Sequence, residues 1–444
     1  MPTLTPSIFK ANDIRGIYPS QIDESVARRI GYALDSMLPP GAIVVGCDAR
    51  ESSSSLAAAV CSGIREAVYI GQCTTPMLYF AVNELVAAGG VMVTASHNPK
   101  EYNGFKLVKA GAVPLVGDEL THIRDMASDD LAADLWSDPT SENMSERYSE
   151  FFAKRFQFGF DRPLTIDAGN SSVGPVVRDV LNRLGISCNE LCFEPDGTFP
   201  NHDPNPLIED NLRHLKDNMD IGSIGIAFDG DGDRVCFIDE NGRTVRGDLL
   251  TVLIACKLLR ENGPNIILYD LRSSKIVPEI IAECGGKPIR TRVGHAFIKQ
   301  EMAKHGALFG GELSYHFYFR DFFNCESGIL AMLHILELLS ETGERLADLV
   351  DPLNKYAHSG EINFSGEINF EVRDTVETIA FLMDEFSGCD VSQMDGLSVE
   401  FGDWWFNVRG SNTEPLLRLN VEAKTNELLQ EKVAMMTGLI RHAH

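Results

Sequence analysis

The sequence FDGDGDR, at residues 228–234, places carboxylates at alternating positions, Asp229, Asp231 and Asp233. Carboxylates this close repel one another, and a divalent cation relieves that repulsion while the glycines let the backbone fold round it. An EF-hand also begins with alternating acids, but Arg234 stands where that motif needs glycine. A few oxygen ligands favour Mg²⁺, which would complete its shell with water and a phosphate oxygen. A solvated acidic turn is the simpler alternative.

A second loop, RGSNTEP at residues 409–415, combines a guanidinium with two hydroxyls and an amide. These side chains and the N–H groups of a turn form a good cradle for a phosphate. The candidate ligands are Arg409, Ser411, Asn412 and Thr413. Taken alone, the loop is equally compatible with an ordinary polar turn.

A third loop, GGELSYHF at residues 310–317, places Glu312, Ser314 and His316 at alternating positions. A carboxylate, a hydroxyl and an imidazole on one face suit the vicinal hydroxyls of a sugar, although an ordinary strand end explains the pattern equally well. The stretch RVGHAFIKQEM adds His295 directly after a glycine. A lone histidine in such a place is more often structural than catalytic.

Ser96, in the stretch TASHNP, stands beside His97 but lacks the Gly-x-Ser-x-Gly pattern of an acyl-transfer elbow. Neighbours on an extended strand point to opposite faces, so we expect His97 to be poorly placed as a base for Ser96. An acidic metal loop and a phosphate cradle fit phosphoryl transfer, with Ser96 as the phosphate carrier. Nearby cations could supply a local positive field; they are Lys10, Arg15, Lys100 and Lys106.

Three segments must position these loops, and they share one pattern. In each, an apolar strand ends at an aspartate (Asp48, Asp167 or Asp270), and a helix-like stretch and a second apolar strand follow. Buried strands joined by helices indicate parallel βαβ units, whose ligands lie beyond the carboxyl ends of the strands. We therefore predict an α/β protein with three similar domains, with mixed or parallel sheets, each contributing one loop.

From about Ser359 the pattern becomes mixed. Apolar and polar residues alternate in LLRLNVEA, which predicts a half-exposed strand, and an amphipathic helix follows. The fourth domain is therefore predicted to be a small α+β unit. The hexapeptide SGEINF at residues 359–364 recurs at 365–370. We interpret the repeat as a neutral duplication at a domain junction, with a changed hinge as the alternative.

The motifs TASHNPKEYNGFK, DGDGDR, GELSYH and RGSNTEP occur in that order, and together they resemble the four signature loops of the α-D-phosphohexomutases. The resemblance runs from FKANDIRG to LLRLNVEA and is strongest to the bacterial phosphomannomutase/phosphoglucomutase group. It implies a heart-shaped protein whose four domains surround a central cleft. The expected domains are residues 1–143 (phosphoserine), 144–247 (metal), 248–355 (sugar) and 356–444 (phosphate).

The resemblance also implies a role for each motif residue. Ser96 would be the phosphoserine, and its phosphate would hold Mg²⁺ together with Asp229, Asp231 and Asp233. The transferring phosphate would be stabilised by Arg15, Lys106 and Arg234. The acid and base candidates are Lys106, His295 and His316. The substrate-binding set is Arg272, Glu312, Ser314, His316, Arg409, Ser411, Asn412 and Thr413.

The implied reaction interconverts hexose 1-phosphates and hexose 6-phosphates of mannose, glucose or both, through a hexose 1,6-bisphosphate that also serves as activator. A phosphoglucosamine mutase is the first alternative, and a metal-dependent sugar phosphatase or a non-enzymatic sensor are others. Asn12 stands where the family often has tyrosine, and Leu313 replaces a common methionine. Both departures concern contacts near the site.

Composition excludes several classes of protein. The net charge of −25 argues against nucleic-acid binding. The N-terminal stretch has no apolar core, and no apolar run is long enough to span a membrane, so we expect a cytoplasmic protein that does not bind membranes. The ten cysteines form no C-x-x-C, and we expect reduced, mostly buried thiols. We also expect a monomer.

Overall fold

The computed structural model describes residues 4–128, 138–365, 375–410 and 416–442. The first sheet has the order β1-β5-β4-β2-β3-β7, with β6 paired to β5; β2, β3 and β4 are parallel, whereas β5 runs antiparallel to β4 and β1. Its strands are β1 (Ile14–Ile17), β2 (Ile43–Cys47), β3 (Ala67–Gln72), β4 (Gly89–Val93), β5 (Tyr102–Lys109), β6 (Val113–Pro114) and β7 (Thr140–Ser141). The accompanying helices are α1 (Glu24–Met37), α2 (Ser53–Cys61), α3 (Thr75–Glu84) and α4 (Asp118–Ser128).

The second sheet has the order β12-β11-β10-β8-β9, with β8 parallel to β9 and β10. Its strands are β8 (Leu164–Asp167), β9 (Asn189–Leu191), β10 (Ile224–Phe228), β11 (Val235–Ile238) and β12 (Thr244–Val245). The helices of this part are α5 (Ser145–Arg155), α6 (Val173–Leu184) and α7 (Arg213–Asp217). Every residue of β8, β10 and β11 is buried, as expected for strands covered on both faces.

The third sheet has the order β14-β13-β15-β16-β17. Its strands are β13 (Ile266–Asp270), β14 (Lys287–Thr291), β15 (Phe309–Gly311), β16 (Phe317–Phe319) and β17 (Cys325–Glu326). The helices are α8 (Gly247–Asn262), α9 (Ile276–Glu283), α10 (His295–His305), α11 (Gly328–Thr342) and α12 (Leu346–Val350). Strand β13 is parallel to β14 and β15, so loops after β13 and β15 emerge at one edge.

The fourth sheet is antiparallel, in the order β18-β22-β21-β20-β19. Its strands are β18 (Ala357–Ser365), β19 (Asp390–Ser392), β20 (Leu397–Phe401), β21 (Trp404–Gly410) and β22 (Leu416–Ala423). Two helices, α13 (Thr375–Glu385) and α14 (Asn426–His442), complete it. The predicted class, three α/β domains followed by an α+β domain, is confirmed; the heart-shaped outline and the domain boundaries stay predictions.

Two expectations outside the candidate site are wrong, and the first concerns β22. This strand is not half exposed, because Asn420 and Glu422 are buried along with the apolar positions. Their side chains are used inside the protein: Asn420 donates to the Gly360 carbonyl at 3.0 Å, and Glu422 accepts from Trp405 Nε1 at 2.8 Å. A polar residue in an alternating pattern is therefore not always turned to water.

The second is the expectation of reduced thiols, which fails for one pair. Cys256 on α8 and Cys284 at the end of α9 are joined in a disulfide, with their Cα atoms 5.6 Å apart. The packing of α8 against α9 brings these two positions together. The spacing of the cysteines in the sequence does not predict this pairing. Among the described residues, no helix has both the length and the apolar character needed to cross a membrane.

Candidate active site

Ser96 lies three residues beyond the last residue of β4, and its hydroxyl faces the acidic loop of the second sheet. Its backbone φ is 49°, in the left-handed region that residues other than glycine rarely adopt. The Thr94 hydroxyl accepts from the Ser96 N–H at 2.8 Å. Ser96 Oγ donates to Asp229 Oδ2 at 2.8 Å, and the residue is only 2% exposed. A serine held in a strained turn against a carboxylate is placed for a specific task.

His97 is closer to Ser96 than the sequence predicted. Its Nδ1 lies 3.2 Å from Ser96 Oγ, so the expectation that the two side chains point apart is wrong. The reason is local: strand β4 already ends at Val93, and the left-handed turn at Ser96 removes the alternation of a strand. Burial and the nearby Arg234 and Arg15 lower the pKa of His97, so the imidazole is neutral.

Arg50 holds the Ser96 loop in place, a role that sequence reasoning missed. All five N–H donors of its guanidinium are used: Nε donates to Asp48 Oδ2 at 3.1 Å, and the terminal nitrogens donate to backbone carbonyls. These carbonyls belong to Ser96 (2.8 Å), Asn98 (2.6 Å), Pro99 (2.6 Å) and Tyr102 (3.1 Å). The available signal was Asp48, which the strand pattern picked out two residues earlier.

The acidic loop follows β10 and is sealed from solvent. Asp229, Asp231 and Asp233 are each at most 1% exposed, and oxygen atoms of the three lie within 4.8 Å of one another. A side chain at Gly230 would lie 2.3 Å from the Ser96 carbonyl oxygen, so only glycine allows the two loops to meet. Within the described residues, Asp231 Oδ1 has no hydrogen-bond partner. A buried, unpartnered carboxylate oxygen in a three-aspartate cluster fits a divalent cation.

Lys106, on β5, is buried between two of these carboxylates. Its Nζ lies 2.7 Å from Asp231 Oδ2 and 2.5 Å from Asp233 Oδ2. Burial lowers the pKa of Lys106, but the two carboxylates outweigh burial and raise it above the ordinary value. Lys106 therefore carries its positive charge at the point where the Ser96 loop and the acidic loop meet.

The loop after β15 forms a second polar cluster. Glu312 accepts from the Gly294 N–H at 3.0 Å and from the Tyr318 hydroxyl at 2.7 Å, and its Oε2 lies 3.0 Å from His316 Nδ1. Burial and Arg234 lower the pKa of His316, but Asp233 and Glu312 outweigh them and raise it to about 9. Tyr318 was not foreseen from the sequence.

His295 is the first residue of α10 and directly follows Gly294, whose N–H donates to Glu312. Burial, together with Lys299 and Lys106, lowers the pKa of His295 to about 3, so the imidazole is neutral at physiological pH. Its Nδ1 lies 3.8 Å from Glu326 Oε1. A neutral imidazole can accept a proton, which Lys106 in its double ion pair cannot.

Arginines from the third and fourth sheets converge on Glu361 of β18. Its carboxylate lies 3.4 Å from Arg272, 2.5 Å from Arg409 and 3.0 Å from Arg418. Arg272 also donates to Ser314 Oγ at 3.2 Å. Neither Glu361 nor Arg418 was singled out from the sequence, because the phosphate cradle was assigned to the loop at residues 409–415 alone. Ser411, Asn412 and Thr413 lie outside the described residues.

One cavity of about 1140 Å³ draws its lining from all four sheets and their loops. Arg15, on β1, reaches it beside Asn98, and Arg234 reaches it with its Nε 3.1 Å from His316 Nε2. The predicted site residues that line this cavity are Arg15, Ser96, Lys106, Asp233, Arg234, Arg272, His295, Glu312, Ser314, His316 and Arg409. Asp229 and Asp231 lie behind them, in contact with Ser96 and Lys106. The fold thus brings predicted site residues from distant parts of the chain together in one cavity.

Comparison with known proteins identifies the family of the chain. Four sequence models described as phosphoglucomutase/phosphomannomutase match in order: alpha/beta/alpha domain I at residues 6–133, domain II at 146–242, domain III at 246–356 and the C-terminal domain at 367–439. The chain belongs to the α-D-phosphohexomutase superfamily. Its resemblance to this superfamily, inferred from four loops, is confirmed.

Individual phosphohexomutases agree over the whole length. The chain is 39% identical over 456 residues to phosphohexose mutases of Xanthomonas campestris pv. campestris (strain B100), covering 99% of this chain and 100% of the relative. It is 39% identical over 448 residues to a phosphomannomutase of Methanocaldococcus jannaschii, covering 98% and 97%. A phosphoglucomutase/phosphomannomutase family protein of Burkholderia thailandensis superposes with a TM-score of 0.87 at 30% identity, covering 99% and 98%. The protein is a mutase that interconverts hexose phosphates.

Proposed function

We propose that this phosphohexomutase interconverts the 1-phosphates and 6-phosphates of mannose and glucose through a phosphoserine at Ser96. The observation that carries the proposal is the hydrogen bond from Ser96 Oγ to Asp229 Oδ2, at 2.8 Å. Asp229 belongs to a buried loop that holds three carboxylates close together. We assign Mg²⁺ to Asp229, Asp231, Asp233 and a phosphate oxygen on Ser96. When bound, the ion would neutralise charge on the phosphate during transfer.

Two half-reactions follow from this assignment. In the first, the Ser96 phosphate passes to the free hydroxyl of a hexose 1-phosphate, forming a hexose 1,6-bisphosphate and leaving the serine oxygen bonded to hydrogen. The bisphosphate then turns over in the cavity. In the second, its other phosphate returns to Ser96 Oγ and a hexose 6-phosphate leaves. Lys106, Arg15 and Arg234 would offset the charge of the transferring group.

We assign the proton transfers to His295. It lines the cavity as a neutral imidazole, so one ring nitrogen carries no proton and can accept that of the attacking hydroxyl. Lys106 and His316 are the other candidates, and both are held in ion pairs with buried carboxylates. His295→Gln is therefore expected to lower kcat more than it changes KM for the sugar phosphate.

The non-reacting end of the substrate would bind at the arginine cluster. We assign its phosphate to Arg409, with Ser411, Asn412 and Thr413 completing the cradle, and its hydroxyls to Glu312, Ser314, His316 and Arg272. Phosphate and hydroxyl groups occur at both ends of the substrate. A site that recognises only these groups can accept either end, as the two half-reactions require.

A coupled assay tests the proposal. Mannose 1-phosphate, glucose 1-phosphate or glucosamine 1-phosphate is supplied with Mg²⁺ and a trace of 1,6-bisphosphate, and both 6-phosphate and free phosphate are followed. We expect turnover of the first two sugars, near-complete loss in Ser96→Ala and no loss in Ser145→Ala, a control at an exposed serine of α5. Free phosphate released in step with substrate loss would instead identify a phosphatase. Intact-mass measurement should find one phosphate, and peptide mapping should place it on the Ser96 peptide.

We also propose a cytoplasmic monomer that binds neither nucleic acid nor membranes. The net charge of −25 supports the exclusion of nucleic acid. In the cytosol, which keeps thiols reduced, the Cys256–Cys284 disulfide would form only under oxidising conditions. Light scattering after gel filtration tests the monomer, and thiol counting on protein purified without reductant tests the disulfide.

A further inference from the structure

A second cluster of metal-ligating side chains lies at the carboxyl edge of the second sheet. Candidate ligand atoms of Asp167, Cys192 and His214 all lie within 4.8 Å of one another. His202 joins them, because its Nε2 lies 3.0 Å from Asp167 Oδ2. The cluster is distinct from the acidic loop at residues 229–233, and none of its four residues is used in the proposed phosphoryl transfer.

Four different elements deliver these side chains. Asp167 is the last residue of β8, and Cys192 directly follows β9, the neighbouring parallel strand. His202 comes from the loop between β9 and α7, and His214 lies on α7. Cys192 has a φ of 54°, a strained conformation for a residue with a side chain.

Hydrogen bonds already orient two of the four groups. Asp167 Oδ1 accepts from the Gly169 N–H at 2.8 Å, which leaves Oδ2 facing His202. His202 Nδ1 lies 2.9 Å from the Asp203 carbonyl oxygen. Because a carbonyl only accepts, Nδ1 carries a proton and Nε2 points into the cluster. An imidazole whose other nitrogen donates to a backbone carbonyl is the usual orientation of a metal-binding histidine.

We propose that Asp167, Cys192, His202 and His214 form a binding site for a divalent transition-metal ion, with Zn²⁺ as the best fit. A thiolate, two imidazoles and a carboxylate are the ligands of tetrahedral Zn²⁺, whereas Mg²⁺ prefers oxygen. Zinc–ligand bonds of about 2.0–2.3 Å place neighbouring ligand atoms roughly 3.3–3.8 Å apart. The ligand atoms of Asp167, Cys192 and His214, which lie within 4.8 Å of one another, would take up this spacing on binding. Binding releases the Cys192 thiol proton, and any proton on His202 Nε2, to solvent.

The site would fix a loop that reaches the cavity. Residues 202–208 continue from His202, and Asn205, Leu207 and Ile208 line the cavity. Within the same loop, Pro204 would come within 3.3 Å of a side chain at Gly230, so it packs directly on the acidic loop. A metal ion at His202 would anchor the loop on which that packing depends. The role is structural and does not depend on the sugar or on the phosphoserine.

Cobalt spectroscopy on the Mg²⁺-saturated full-length protein tests the site. Excess Mg²⁺ occupies oxygen ligands, and Co²⁺ bound to a thiolate gives a charge-transfer absorption band that carboxylates alone do not give. We expect one equivalent of Co²⁺ to produce this band in the wild type and Zn²⁺ to abolish it. The band should vanish in Cys192→Ala and persist in Cys188→Ala, a matched cysteine outside the cluster.

A second variant protects the test from a folding failure. His214→Ala keeps the thiolate and should weaken Zn²⁺ binding by about tenfold or more, measured by competition with a chelating dye. Circular dichroism and mutase activity in Mg²⁺ report whether each variant is folded. A wild type without the band, or Cys192→Ala binding Zn²⁺ as tightly as Cys188→Ala, would show that these side chains form only the Asp167–His202 ion pair.

Discussion

Replacing Arg50 by lysine is the sharpest test of how the Ser96 loop is held. The Arg50 side chain is 2% exposed, and its five N–H groups donate hydrogen bonds to Asp48 and to four backbone carbonyls. Lysine keeps the charge but has three donors in a different geometry, so at least two of these hydrogen bonds cannot form. The substitution thus removes hydrogen bonds without leaving Asp48 unpaired.

The expected destabilisation depends on how many buried carbonyls are left without a donor. One buried acceptor left unsatisfied costs about 1–3 kcal/mol, so two carbonyls cost about 2–6 kcal/mol. We expect a clear drop in the calorimetric Tm of the transition that includes the first sheet. Because one of the carbonyls belongs to Ser96 itself, we also expect a large fall in kcat.

Arg65→Lys is the matched control. Arg65 also belongs to the first domain and pairs with Asp35 at 2.6 Å, but its side chain is 48% exposed. Water replaces the hydrogen bonds that the substitution removes, so the change should cost less than about 1 kcal/mol and leave kcat unaltered. Equal effects of the two substitutions on Tm and kcat would refute the role assigned to Arg50.

Other predictions concern the core, the arginine cluster and the metal. Burial lowers the pKa of His334, so below about pH 6.5 the unfolded state gains a proton that the native state does not. Thermal melts should therefore show that His334→Leu loses about 2 kcal/mol less stability than the wild type between pH 8 and pH 5. Glu361→Gln removes the negative charge that pairs with Arg409, so the guanidinium can bind phosphate instead. The inhibition constant of inorganic phosphate should fall about tenfold, which corresponds to about 1.4 kcal/mol. An unchanged constant would contradict the assignment of the substrate's non-reacting phosphate to the arginine cluster. Chelation with EDTA should abolish turnover until Mg²⁺ is restored; activity in the chelator would disprove the metal assignment.

The sequence predicted those parts of the site that depend on strand ends. Buried strands before the Ser96, Asp229 and Glu312 loops placed all three at carboxyl ends, and parallel sheets gather such ends at one edge. Repetition of the pattern also predicted three α/β domains. These inferences needed only local periodicity and a general rule of α/β architecture.

The residues that were missed act through contacts between distant segments. Arg50 donates to backbone carbonyls, which no residue type in the sequence reveals. These carbonyls lie 46 to 52 positions further along the chain. The role of Glu361 becomes apparent only in the folded protein, where Arg272, from the loop after β13, and Arg409, on β21, both pair with it. His97 was misplaced because alternation was assumed beyond the end of β4. Side-chain direction in a turn depends on φ, which residue types alone do not give.

The packing of the fourth domain bears on how a substrate could enter and leave the cavity. Its hydrophobic core is separate, whereas one cluster contains apolar residues of the first, second and third domains. Its contacts with the third domain include ion pairs of Glu400 with Lys275 at 2.9 Å and with Arg290 at 3.3 Å. Water can replace such partly exposed pairs at a cost of about 1 kcal/mol or less each, unlike an apolar interface. We infer that this domain is the one that would open, because the proposed turn of a bisphosphate needs space, and the proposed phosphate transfer needs water excluded.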